Sequence, residues 1–212
     1  MASSLEDLTG LLASFLGERS EQSLTATVGV SGRHVHLSQG DLEALFGAGY
    51  ELTPIKNLSQ PGQFASKETV TLVGPKGVIE RVRVLGPVRS QTQVEILAGD
   101  SFKLGVPAMV RMSGKLEGTP GITLAGPKGA VTIPSGVMVA ARHIHMSLAQ
   151  AASMGLRDGQ IVSIAFGGER GGRLDNVAIR ANDSSELDCH IDTEEANALR
   201  IVKRARSFES SK

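Results

Sequence analysis

The chain is short of the residues that do covalent and aromatic work. It has a single cysteine, Cys189, so no internal disulfide can form, which fits a reducing compartment. Tryptophan is absent and there is one tyrosine, which leaves the core to aliphatic side chains. Neither sign of charge is in excess: 22 Lys and Arg balance 22 Asp and Glu. A neutral chain has no global basic field to draw nucleic acid or an anionic membrane, so neither is expected as a partner, although a local basic groove stays open. No apolar run reaches the roughly 20 residues of a membrane-spanning helix, and no secretory leader is expected. What is abundant is glycine, 25 of 212 residues, which points to many tight turns between short strands. The length suits one large domain or two modest ones.

Histidine is used sparingly and in a pattern. Four of the five lie in two copies of one motif: Arg33-His34-Val35-His36-Leu37-Ser38 and Arg142-His143-Ile144-His145-Met146-Ser147. His34 and His143 are 109 residues apart. At this offset Val28 and Val30 match Val137 and Val139, alternating strands that run into the histidines. Ser38 and Ser147 then start helices that close near Gly47 and Gly155. A second echo pairs Gly74-Pro75-Lys76-Gly77 with Gly126-Pro127-Lys128-Gly129, each read as the turn of a β-hairpin. The body therefore reads as an imperfect duplication. It is mainly β with short helices, two small β-barrels or sandwiches over residues 24–115 and 116–206. Residues 1–20 stand apart: Leu5, Leu8, Leu11, Leu12, Phe15 and Leu16 fall at helical spacing. This amphipathic helix either docks on its own domain or is detachable and meets a partner.

In a strand, residues i and i+2 share a face, so His34 and His36 project together, as do His143 and His145. Two imidazoles on one face are half of a tetrahedral zinc site, and a catalytic site needs a third protein ligand. His190 is the remaining histidine and the natural third ligand for one pair. The other pair needs Cys, Asp or Glu. Cys189 would face away from its neighbour His190 and reads as a small buried thiol. Glu95, in a strand-like run after Gly86-Pro87-Val88-Arg89, is the attractive carboxylate; a solvated strand carboxylate is the alternative reading. Arg89 follows a Gly-Pro turn and could clamp a phosphate or carboxylate in bidentate fashion, or be an ordinary surface arginine.

Taken together, the two histidine motifs, Gly86-Pro87-Val88-Arg89-Ser90-Gln91-Thr92-Gln93-Val94-Glu95 and Cys189-His190 make the chain similar to the PduL-type phosphotransacylases (phosphate propanoyltransferases) of bacterial microcompartments. The resemblance spans residues 22–206. It implies two β-barrel domains with two divalent metal ions, usually zinc, between them. It implies that His34, His36 and Glu95 hold one metal, that His143, His145 and His190 hold the other, and that Arg89 is catalytic. It further implies coenzyme A contacts at Ser31, Lys56, Arg83, Leu85 and Asn197. The helix over 4–17 resembles an encapsulation helix for shell or core enzymes. The expected location is then the microcompartment lumen, with the cytoplasm as alternative, and the expected assembly is a homo-oligomer.

The implied reaction joins acyl-CoA, propanoyl or acetyl, and phosphate to give acyl phosphate and coenzyme A, by direct attack of phosphate on the thioester. The competing readings are a zinc-dependent acyl-CoA hydrolase and a non-catalytic metal-binding scaffold protein. Acyl chain length is not legible, because one methylene carries only ~1–3 kcal/mol of discrimination.

Overall fold

A computed structural model describes residues 22–201 and 206–211. The helix expected over residues 1–20 lies outside the described residues. The chain is mainly β, with fifteen strands and four short helices among the described residues.

Strand β1 (Gln22–Ser31) is followed by β2 (His34–His36) and helix α1 (Gln39–Phe46). The Ser38 hydroxyl caps α1 by accepting from the Asp41 amide at 3.2 Å, as the sequence predicts. Next come β3 (Pro54–Asn57), β4 (Phe64–Val73), β5 (Val78–Gly86), β6 (Gln93–Glu95), helix α2 (Asp100–Leu104) and β7 (Val110–Arg111). The hairpin β8 (Ile122–Ala125) and β9 (Ala130–Ile133) leads to β10 (Val137–Ala140), β11 (His143–Met146) and helix α3 (Leu148–Ser153). At α3 the Ser147 hydroxyl and the Gln150 side chain form a full capping box. The chain ends through β12 (Ile161–Phe166), β13 (Gly172–Ala181), β14 (Asp188–Asp192), helix α4 (Thr193–Ala198) and β15 (Arg206–Ser211).

Six strands close a barrel in the order β1-β14-β11-β13-β12-β15. The other sheet runs β7-β10-β6-β2-β5-β4-β8-β9, with β3 paired to β4, and does not close. So one of the two expected barrels closes. In the other sheet the end strands β7 and β9 do not pair with each other. The pairing also crosses the 115/116 division in both directions. β1 joins the barrel otherwise built from residues 143–211, and β8, β9 and β10 join the sheet of the first half.

Both Gly-Pro-Lys-Gly turns make hairpins, closed by Gly74 N to Gly77 O at 2.9 Å and Gly126 N to Gly129 O at 2.8 Å. Each turn docks on a helix end: Lys76 N donates to Leu104 O of α2 and Lys128 N to Leu45 O of α1. A Cβ at Gly74 or Gly126 would sit 2.2 or 2.5 Å from those same carbonyl oxygens, so only glycine fits.

Each sheet has its own apolar core. Val35, between His34 and His36, is fully buried in one; Ile144, between His143 and His145, is fully buried in the other. Burying such a side chain stabilises by about 1.5–3 kcal/mol. A one-residue slip would exchange it for a histidine, so the aliphatic residue fixes the face on which its two neighbours emerge.

Candidate active site

Strand pairing supplies the third donor to each histidine pair. β2 and β6 are antiparallel with His34 opposite Glu95, and β11 and β14 are antiparallel with His143 opposite His190. Directly opposed residues share a face of the sheet. The donor atoms of His34, His36 and Glu95 lie within 4.8 Å of one another, and so do those of His143, His145 and His190. Glu95 and His190 thus hold the same register position in two equivalent ladders.

The protonation pattern suits metal binding. Nδ1 of His34 bonds Gly32 O and Nδ1 of His143 bonds Ala141 O, both at 2.9 Å. A carbonyl only accepts, so these nitrogens carry the hydrogen and leave the Nε2 lone pairs free. Nε2 of His34 lies 3.3 Å from Glu95 Oε2, and Nε2 of His143 lies 3.1 Å from Nε2 of His145. Burial, with help from neighbouring cations, lowers three of the imidazoles, His36 to about 3, His143 to about 4 and His145 to about 3, whereas at His34 the adjoining Glu95 carboxylate outweighs burial and raises the pKa. Burial works against charge on Glu95 too, but the adjoining His34 outweighs it and keeps the carboxyl below its ordinary range. Neutral imidazole and carboxylate are the forms that ligate metals. His36 Nδ1 is buried with no hydrogen-bond partner, the one such side-chain atom among the described residues. An orphan of this kind costs ~1–3 kcal/mol unless a ligand meets it. Three histidines, or two with a glutamate, are also the donor sets of open zinc sites. The residues present therefore fit divalent metal in both places.

Sequence reasoning missed the side chains behind the third donors. Gln93 Nε2 donates to Glu95 Oε1 at 2.6 Å, and the Asp188 carboxylate lies 2.8 Å from His190 Nε2. Each stands two residues before its donor, on the same strand face: an amide supports the carboxylate, a carboxylate supports the imidazole. That i−2 spacing was the available signal. Asp188 also accepts from Thr27 Oγ1 at 2.8 Å. Gln93 continues to Ser113 Oγ at 2.9 Å, which accepts from Arg89 Nη1 at 3.0 Å, so Arg89 is tied to the Glu95 triad through two side chains. Backbone packing matters too. Gly29 of β1 pairs with His190, and a Cβ there would meet Asp188 Oδ2 at 3.0 Å and His190 Nε2 at 3.1 Å.

Both triads face one cavity of about 740 Å³. Of the other residues singled out from sequence, Ser31, Lys56, Arg83, Leu85 and Arg89 line it. Asn197 does not: it is exposed on α4, outside the lining. Arg83 is held by the Ser66 and Lys67 carbonyls at 3.0 and 2.8 Å. Arg180, which the sequence did not flag, also lines the cavity, from the strand β13 register position beside His145. Burial lowers the Arg89 pKa, and the like charge of Arg180 adds to this. Two guanidiniums beside two donor sets will draw an anion such as phosphate. Cys189 points the other way, fully buried in the barrel core, its thiol pushed up to about 12 by burial. It is no nucleophile. A more open hollow of about 640 Å³ beside Gly114 contains none of the donors.

Donor triads and arginines converging on one cavity are the layout of an enzyme that handles anions, and relatives make the class specific. The family model for phosphate propanoyltransferase matches residues 27–202. A phosphate propanoyltransferase of Rhodopseudomonas palustris is 52% identical over 190 residues, covering 90% of this chain and 84% of that protein. One from Thermotoga maritima is 58% identical over 175 residues, covering 82% and 83%. One from Salmonella typhimurium is 52% identical over 172 residues, covering 81% of each. The chain belongs to the phosphate propanoyltransferase family, and is thus a phosphotransacylase. No helix among the described residues is long and apolar enough to cross a membrane.

Proposed function

We propose that the chain interconverts a short-chain acyl-CoA, propanoyl-CoA in the first instance, and phosphate with acyl phosphate and coenzyme A. The observation that carries this reading is the single cavity onto which two donor triads and Arg89 open in a chain of this family. In the forward direction a phosphate oxygen attacks the thioester carbonyl carbon, the C–O bond forms, the C–S bond breaks, and the thiolate leaves with coenzyme A. When bound, two divalent metal ions, zinc by the donor set, supply Lewis-acid charge and a template. His34, His36 and Glu95 would hold one ion; His143, His145 and His190 the other. Arg89, kept in place by Ser113, holds phosphate and offsets the charge that develops on the carbonyl oxygen. Arg180 adds positive potential on the opposite wall. All five histidines are used as donors, so the attacking phosphate oxyanion works without a histidine base. Ser31, Lys56, Arg83 and Leu85 form the wall along which coenzyme A lies.

The equal register of the two ladders supports reading the body as a duplication, two units over 24–115 and 116–206 that exchange strands and of which one closes into a barrel. The apolar spacing of residues 1–20 supports a docking helix that takes a homo-oligomer into a microcompartment lumen. The test is release of coenzyme A from propanoyl-CoA. It is expected to require phosphate and to vanish on chelation and in the His34→Ala/His143→Ala protein. Release at full rate without phosphate would make the chain a hydrolase instead.

A further inference from the structure

The arginines that open the two Arg-His-x-His motifs are not used by the reaction above. Arg33 makes a bidentate ion pair with Asp100, Nε to Oδ2 and Nη2 to Oδ1, both 2.8 Å. Asp100 is buried, and its Oδ2 also accepts the Leu97 amide at 3.0 Å. Arg142 pairs with Glu195, Nε to Oε1 at 2.7 Å, and its Nη1 donates to Asp175 O at 3.0 Å. The two pairs are equivalent. Each arginine immediately precedes the first histidine of its motif, and each acid lies five residues beyond the third donor, Asp100 after Glu95 and Glu195 after His190. Each ion pair therefore closes the end of a donor ladder just past the donors.

Closure matters because the paired stretches are short. The β2–β6 and β11–β14 ladders hold three residue pairs each, too few to fix their own geometry. The two closures also touch. The Gly99 amide, next to Asp100, donates to Glu194 Oε1 at 3.1 Å, next to Glu195. A Cβ at Gly99 would lie 2.6 Å from that oxygen, so a side chain there would push the Glu194 carboxylate aside. The contacts Arg33–Asp100, Gly99–Glu194 and Glu195–Arg142 thus link the two ladder ends, and Arg33 also lines the cavity.

We propose that these ion pairs brace the two donor ladders, each at its own end, and that Arg33 and Arg142 are positioning residues, each setting metal affinity at its own triad. The inference rests on the metal reading of the site. The test is Zn2+ affinity of the full chain, measured by competition with a chromophoric chelator. His143→Ala/His145→Ala leaves only the first triad to report; His34→Ala/His36→Ala leaves only the second. Arg33→Met weakens Zn2+ at the first triad by about 10–100-fold, the range for partners that orient ligands, and leaves the second unchanged. Arg142→Met does the reverse. Asp100→Asn and Glu195→Gln reproduce the same selectivity with packing retained; Gln at 195 keeps the α4 capping box, so folding is preserved. A merely structural role would lower the melting temperature without this selectivity. Arginine variants that match their parents, or that weaken both triads equally, overturn the brace while the metal reading stands. A parent chain that takes up no Zn2+ at either triad overturns the metal reading and the brace together.

Discussion

At Gly29 the absence of a side chain lets Asp188 and His190 pack against bare backbone. Gly29→Ala pushes against both, at 3.0 and 3.1 Å. The expected result is loss of metal from the three-histidine triad with the Glu95 triad still loaded, read by metal analysis at a stoichiometry of one. Arg89 faces a chemical constraint instead. Lysine keeps the charge but not the planar fork, so Arg89→Lys should lower kcat by roughly 10²–10³-fold, with the KM for acyl-CoA little changed. Steady-state kinetics with phosphate varied separates the two parameters. Cys189 gives a third residue-scale expectation. Fully buried, with its thiol pushed up to about 12, it should resist alkylation in the native protein and react once the chain is unfolded in denaturant. Labelling at neutral pH in the folded state would contradict the barrel core as described.

Among the elements, the local signals were legible and the register was not. Ser38 and Ser147 caps and Gly-Pro-Lys-Gly turns are set within a few residues, and each is found where the sequence puts it. Glu95 was picked out by its strand-like run and by the resemblance, but its place opposite His34 was not legible, because nothing within the run Gln93–Glu95 says which strand it will face. The same holds for Asp100 and Glu195. The arginines were visible in the motif, while their partners depend on turns beyond the ladder. Elements packed this closely allow little added volume. Gly126→Ala would drive a methyl group to 2.5 Å from Leu45 O and should destabilise by ~1–3 kcal/mol, measured by chemical denaturation. Ile144→Ala should cost about 2–5 kcal/mol and loosen the face that presents His143 and His145.

For the whole molecule, the two triads and the cavity between them link stability to metal. Free Zn2+ at about 100 times Kd stabilises by about 2.7 kcal/mol per site. Chelation should therefore lower the melting temperature and abolish turnover together, and added Zn2+ should restore both. The closed barrel was anticipated from composition, but its first strand was not, since strand exchange leaves no mark on local periodicity. That exchange has a consequence for how the chain is made. Thr27 bonds Asp188 at a sequence separation of 161, and the opening strand of the described chain finds its neighbours only in β14 and β15. During synthesis β1 must wait, unpaired, until β14 and β15 have emerged. Contacts so distant in sequence slow folding, and they leave neither half able to finish alone. Assembly of the cavity is thereby deferred until these late strands are made.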